Sequence, residues 1–225
     1  MNTEIFTGKA EVYAKARPGY PDAAIEYINS LGSQNAIFAD IGAGTGKFAE
    51  LIAQKGYTVL AVEPNTDMRE QLTAALLPYK NAKIISGSAE ATGLLDHSVD
   101  VITCAQALHW FDLEAFWKEC RRIGKQDSIV IAIYNSTLDE SNSHRKFSTE
   151  AFFTNPTMKE FPNPIFYTCE SWLTYMTSHS HDPLPDDPRY AAHIAEMKAV
   201  FERENVDGFM RHDVVTRVYS ERIVL

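Results

Sequence analysis

An apolar run, Ile37-Phe38-Ala39, leads through Asp40 and Ile41 into a turn carrying Gly42, Gly44 and Gly46, and Lys47 then opens an amphipathic stretch. That order of strand, glycine turn and helix is how an open α/β sheet builds a ligand pocket. Glycines let the backbone take positive φ and approach a ligand closely. The helix that follows turns its unpaired N–H groups and positive dipole end into the same space. Function is therefore expected beside this turn.

The spacing narrows the ligand. A dinucleotide turn reads G-x-G-x-x-G/A, its third small residue allowing close packing beside a pyrophosphate. Here the pattern is G-x-G-x-G, and Lys47 stands where the third small residue would sit. Asp40 precedes the turn, and a carboxylate there repels a pyrophosphate but suits a ligand carrying an ammonium or sulfonium. S-adenosylmethionine carries both, so a methyl donor is favoured over a nicotinamide dinucleotide.

The rest of the first half alternates short apolar runs with helical patterns, as βαβ units do. Strands are predicted at 37–41, 58–63, 83–86, 99–104 and 129–134. Helices are predicted with apolar faces at Phe48, Leu51 and Ile52, at Met68, Leu72 and Leu76, and, capped by Asp112, at Leu113, Phe116, Trp117 and Cys120. From Ser136 the alternation stops, and 136–188 hold many aromatics with six prolines. A helix is expected to start at Asp187-Pro188, with Ile194, Met197, Val200 and Phe201 on its apolar side. Residues 213–224 read as a terminal strand.

The expected fold class is α/β, an open, doubly wound, mostly parallel sheet with an inserted, largely helical lid. Residues 1–135 would form the cofactor-binding core with an N-terminal cap, 136–210 the lid, and 211–225 a strand returning to the sheet. The 225 residues suit one domain with a full core. A net charge of −9 without a basic cluster argues against nucleic acid as partner. No apolar run reaches the length of a membrane span. Cys104, Cys120 and Cys169 show no metal or redox spacing, and a cytoplasmic protein is the expectation.

Five motifs in order resemble one family: Tyr13-Ala14-Lys15-Ala16-Arg17-Pro18-Gly19-Tyr20-Pro21, Asp40 through Gly46, Val62-Glu63-Pro64, Gly87-Ser88-Ala89-Glu90, and Ala105-Gln106-Ala107-Leu108-His109-Trp110-Phe111. Together they resemble a class I S-adenosylmethionine-dependent methyltransferase, with a Rossmann-like fold, of the type 11 group that includes proteins similar to trans-aconitate methyltransferase. The resemblance implies S-adenosylmethionine as cofactor, S-adenosylhomocysteine as product and a small-molecule methyl acceptor. It implies that Asp40, Gly42, Ala43 and Gly44 face the methionine part, together with Ala105 and Gln106. Glu63, beside Pro64, would accept from the ribose hydroxyls, about twenty residues beyond the glycines as in nucleotide-binding sheets; a solvent-exposed loop acid is the plainer alternative.

Ser88, Ala89 and Glu90 would line the adenine, although Glu90 also reads as a helix-cap acid. Tyr13, Arg17 and Tyr20 belong to a segment that in similar proteins folds over the cofactor; Arg17 there pairs with a carboxylate or makes a surface salt bridge. His109 and Trp110 would border the space in front of the methyl group. His109 is a candidate general base or a residue that orients substrate. The run Ser178-His179-Ser180-His181-Asp182 lacks a third and fourth ligand for zinc, so no metal is expected and His179 is read as a substrate contact. The alternatives are a non-catalytic S-adenosylmethionine-binding protein and an NAD-dependent oxidoreductase; oligomeric state is left open.

Overall fold

The computed structural model describes residues 19–137, 144–177, 182–183 and 185–223. The helix α1 (Asp22–Leu31) leads into β1 (Ile37–Ile41), and α2 (Lys47–Gln54), β2 (Thr58–Val62), α3 (Thr66–Leu76) and β3 (Ala82–Ile85) follow. After a loop come β4 (Val99–Ala105), a single 3-10 turn at Leu108–Trp110, α4 (Leu113–Ile123) and β5 (Gly124–Thr137). The second half holds α5 (His144–Phe152), β6 (Thr157–Pro162), β7 (Ile165–Tyr167), α6 (Cys169–Met176), α7 (Tyr190–Glu204), β8 (Met210–His212) and β9 (Val214–Arg222).

Seven strands form one sheet in the order β3-β2-β1-β4-β5-β9-β6. The pairs β1–β2, β2–β3, β1–β4 and β4–β5 are parallel. β9 runs antiparallel to both β5 and β6, so β6 points the same way as the first five strands. The order reverses at β1, with β2 on one side and β4 on the other. Open α/β sheets bind ligands at such a switch point, outside the carboxyl ends of the strands.

Both faces of the sheet are covered, which explains why the inner strands are nearly all apolar. On one face Phe38, Val59, Val101 and Ile131 meet Ile25 and Ile28 of α1, Phe48 and Ile52 of α2 and Leu72 of α3. On the other, Ile41, Ile102 and Val130 meet Phe116, Cys120 and Ile123 of α4 and Phe152 of α5. The helices begin where their caps stand. The Asn65 side chain accepts from the Met68 N–H at 3.0 Å, and the Asp112 side chain accepts from the Ala115 N–H at 3.0 Å, each satisfying a donor that the first turn leaves open.

The second half departs from expectation in three places. Residues 157–162, assigned to the lid, form an edge strand of the main sheet, register-paired from Thr157↔Ser220 to Pro162↔Val215. Exposure at this edge leaves no apolar alternation to read. Residues 136–137 likewise extend β5, and Phe152, at the end of α5, and Phe153 after it are buried in the core on the α4 side of the sheet. Finally, α7 begins at Tyr190, not at Pro188. Asp187 is taken up by the next turn instead: its carboxylate accepts from the Arg189 backbone N–H at 2.9 Å and from the Arg189 guanidinium at 2.6 Å.

What remains of the insertion, 165–212, has its own apolar centre in Tyr167, Trp172, Phe201 and Met210. β7 and β8 pair antiparallel, and the Trp172 Nε1–H donates to the Met197 carbonyl at 3.1 Å, joining α6 to α7. This unit leaves the sheet at the carboxyl end of β6 and returns at the start of β9. It therefore emerges at the same rim of the sheet as the glycine turn.

Candidate functional site

The turn after β1 is left-handed at every glycine, with φ of 68° at Gly42, 56° at Gly44 and 92° at Gly46. Two of these positions differ in what surrounds them. A Cβ on Gly42 would lie 2.9 Å from the Ala107 Cβ and 3.1 Å from the Phe111 ring, so this glycine lets the turn after β1 sit against the loop after β4. A Cβ on Gly44 would meet nothing within 4 Å among the described residues. Gly44 thus presents bare backbone to open space, which is what a close ligand needs. The Gly42 and Ala43 N–H groups both donate to the Val62 carbonyl, at 2.9 and 3.0 Å, fixing the turn to the end of β2.

Glu63 follows directly and is 6% exposed. Its Oε2 accepts from the Gly44 N–H at 2.9 Å and its Oε1 from the Asn65 N–H at 2.8 Å. Arg69 of α3 donates to the Glu63 and Pro64 carbonyls. Burial raises the Glu63 pKa, while the two backbone donors and Arg69 pull it back. A carboxylate has about four acceptor sites; two are used within the chain, which fixes the side chain and leaves capacity for a ligand's hydroxyls.

Asp40 is 1% exposed. Thr103 Oγ1 donates to its Oδ1 at 2.9 Å, while Oδ2 has no hydrogen-bond partner among the described residues. Burial pushes this carboxyl up to about 7, opposed by the Thr103 bond and reinforced by the negative charge of Glu63. Two buried acids beside one glycine turn make the pocket a place for positive charge.

The loop after β4 forms the opposite wall. Gln106 has φ of 58°, a left-handed conformation rare for a side-chain-bearing residue, and its N–H donates to the Ile133 carbonyl at 2.9 Å. The strain bends the chain sharply at the end of β4, beside Ala105, and starts the short turn that carries His109 and Trp110. The His109 ring lies 4.8 Å from the Trp110 ring and 6.2 Å from that of Tyr134, centroid to centroid.

The loop after β3 completes the rim. Ser88 and Ala91 exchange backbone bonds at 3.1 and 3.3 Å, and Ala89 is 2% exposed. Glu90 Oε1 accepts from the Asp112 N–H at 3.0 Å, so this acid braces the start of α4. Tyr20 packs edge-on against Phe48 at 5.5 Å, beside the glycine turn. Just before it, the Gly19 carbonyl accepts from Asn135 at 3.0 Å and Asn163 at 3.1 Å. Tyr13, Arg17 and His179 lie outside the described residues.

The structure thus gathers Asp40, Gly42, Ala43, Gly44, Glu63, Pro64, Ser88, Ala89, Glu90, Ala105, Gln106, His109 and Trp110 at the carboxyl ends of four neighbouring strands and on the loops that follow them. Sequence reasoning missed Thr103, which holds Asp40 from the adjacent strand, and Arg69, which anchors the Glu63 backbone. An alternation of side chains along β4 puts Thr103 two residues from Val101 on the same face, but only the β1–β4 register shows it opposite Asp40.

Comparisons with known proteins bear on the fold and on what the chain is similar to. Residues 39–132 match the family described as a methyltransferase domain. An uncharacterized methyltransferase of Mycobacterium tuberculosis is 35% identical over 135 residues, 60% of this chain and 53% of the relative. An uncharacterized methyltransferase-like protein of Schizosaccharomyces pombe is 34% identical over 141 residues, 60% of this chain and 54% of its own. The chain spans about half the length of the curated relatives it matches. Among solved structures, a candidate type II methyltransferase from Anaeromyxobacter dehalogenans superposes with a TM-score of 0.70 at 21% identity, over 92% of this chain and 98% of that one. The phosphoethanolamine N-methyltransferase 2 of Haemonchus contortus, solved with phosphomonomethylethanolamine and S-adenosylhomocysteine, gives a TM-score of 0.57 at 14% identity, over 99% of this chain and 57% of that one. At these identities the solved structures establish the fold.

Proposed function

We propose that this chain, whose residues 39–132 match the family described as a methyltransferase domain, binds S-adenosylmethionine at the glycine turn and methylates a small-molecule acceptor. The observation that carries the reading is the pair of buried carboxylates, Asp40 and Glu63, flanking the exposed backbone of Gly44. S-adenosylhomocysteine in the solved relative of the same fold supports it.

Bound S-adenosylmethionine supplies a methyl carbon made electrophilic by its sulfonium; the acceptor's lone pair forms the new bond as the sulfur takes the departing electron pair, leaving S-adenosylhomocysteine. The chain's task is to align the partners and exclude water. Asp40 in its ionised form offers the uncoordinated Oδ2 to a cationic group. Glu63 holds hydroxyls on the far side of Gly44. His109 and Trp110, on the strained turn after β4, border the acceptor space. A carboxylate acceptor gives up no proton; an amine or hydroxyl does, and His109 is the residue placed to take it.

Calorimetry of the purified chain with S-adenosylhomocysteine and with NAD tests the pocket. Binding of the first is expected, and binding of NAD alone would overturn the reading. Transfer of labelled methyl from S-adenosylmethionine to members of a metabolite panel tests the activity; binding with no transfer to any of them would leave a non-catalytic binding protein.

A further inference from the structure

The loop between β3 and β4 contains no helix and no strand, yet it is held as firmly as either. Thr92, fully buried, donates to Glu119 Oε1 through its N–H at 2.9 Å and its hydroxyl at 2.6 Å. Glu119 sits on α4 and is 7% exposed. Arg122, one turn on, donates to both Glu119 oxygens, at 2.8 and 2.7 Å, and also to the Leu94 carbonyl at 2.9 Å and Asp96 at 2.5 Å. Gly87 closes the other side: a Cβ there would lie 2.5 Å from the Thr92 carbonyl oxygen. The Glu119–Arg122 pair thus ties the loop to α4 at Thr92, Leu94 and Asp96.

This bracing reaches no atom of the pocket, but it fixes a segment that does. Between Gly87 and Thr92 the chain makes the tight Ser88–Ala91 turn, and that turn forms the rim beside Glu63. A base lying there meets backbone donors and acceptors whose directions follow from where Thr92 is pinned. Thr92 and Glu119 are both buried, so a geometry that parts them leaves the Thr92 N–H and hydroxyl without an acceptor away from water. Exposed salt bridges would not achieve this.

We propose that Glu119, through Thr92, is the positioning residue that sets the purine specificity of the cofactor pocket, holding the Ser88–Ala91 turn in the shape that distinguishes a 6-amino from a 6-oxo purine. The inference rests on the S-adenosylmethionine reading of the site and goes beyond it, by locating the determinant of base recognition on a helix outside the pocket.

The test compares S-adenosylhomocysteine with S-inosylhomocysteine, which carries a 6-oxo group in place of the 6-amino group and a proton on the adjacent N1, by calorimetry on the full chain. The unaltered protein is expected to prefer the adenosyl compound by about tenfold or more, the worth of one or two hydrogen bonds. In Glu119→Gln, and independently in Thr92→Val, which keeps the buried volume, that preference falls toward unity. S-adenosylhomocysteine weakens while S-inosylhomocysteine changes by less than about twofold. A merely structural role would weaken both compounds alike, and an equal loss, or an unchanged preference in either folded variant, overturns the proposal. Thr92→Val carries the test should Glu119→Gln not fold. An unaltered protein that binds both compounds equally also overturns it. One that binds neither overturns the reading of the site itself.

Discussion

At the scale of single residues the pocket is a problem in charge. Glu63 spends two acceptor sites on Gly44 and Asn65, so its removal both leaves those two N–H groups without their partner and deletes the acceptor proposed for a ribose. Glu63→Ala is expected to weaken S-adenosylhomocysteine binding by about 1–3 kcal/mol, measured by titration calorimetry in a variant whose far-ultraviolet circular dichroism is unchanged. Asp40 gives a pH signature. Its carboxyl is raised from 3.8 to about 7, so the group's contribution to the stability of the free protein is complete below about 4 and is lost as pH rises through about 7. A cationic ligand needs the ionised form. Affinity is therefore expected to fall about tenfold between pH 8 and pH 6, with proton release on binding near neutrality. Asp40→Asn should flatten that profile, and a profile equally steep in the variant would remove Asp40 from the site. The sequence already named both acids, because Asp40 stands at the end of the apolar run before the glycines and Glu63 follows the next strand about twenty residues beyond them. What it did not name was Thr103 or Arg69: partners across a sheet or from a helix flank are set by register, which no local pattern encodes.

At the scale of elements the glycines separate structural from ligand-facing roles. Gly42 and Gly44 share a left-handed backbone, so alanine at either pays a similar conformational cost of about 1–2 kcal/mol. Only Gly42→Ala also collides with Ala107 and Phe111. Its thermal midpoint should drop further than that of Gly44→Ala, while Gly44→Ala should lose cofactor binding with the smaller loss of stability. Differential scanning fluorimetry with and without S-adenosylhomocysteine checks both. The elements of the first half were legible because their strands are buried on two sides and their helices announce their caps at Asn65 and Asp112. In the second half only β9 and the body of α7 were legible; the rest was not. β6 reads Thr157-Met158-Lys159-Glu160-Phe161-Pro162, an exposed edge whose charges protect it from pairing with other chains, and such a strand carries no period to detect. Asp187-Pro188 looked like a helix start, but the neighbouring Arg189 competes for the same carboxylate. The loop bracing by Glu119 was invisible for another reason: Arg122 is its local i,i+3 partner, but Thr92 lies 27 residues away across β4.

At the scale of the whole molecule, the cofactor loops and the 165–212 unit share a rim but not a core. The unit's apolar centre, Tyr167, Trp172, Phe201 and Met210, contains no residue of the parallel strands. Trp172→Ala removes the central ring and the bond to the Met197 carbonyl, at a cost of about 3–5 kcal/mol to that unit. Hydrogen exchange is expected to show loss of protection confined to 165–212, with S-adenosylhomocysteine affinity unchanged and acceptor methylation reduced. Loss of cofactor binding in the same variant would show the two parts to be one cooperative body. The fold class was readable because the parallel half obeys simple alternation. The placement of β9 between β5 and β6 was not, since its neighbours are far away along the chain. That placement has a consequence for how the molecule is made. During synthesis β6 leaves the ribosome with nothing beside it, and so does the outer side of β5. Both must wait, with the intervening residues laid aside, until β9 arrives to slide in as the keystone. A nascent chain halted before Val214 would hold its glycine turn complete and its sheet unfinished.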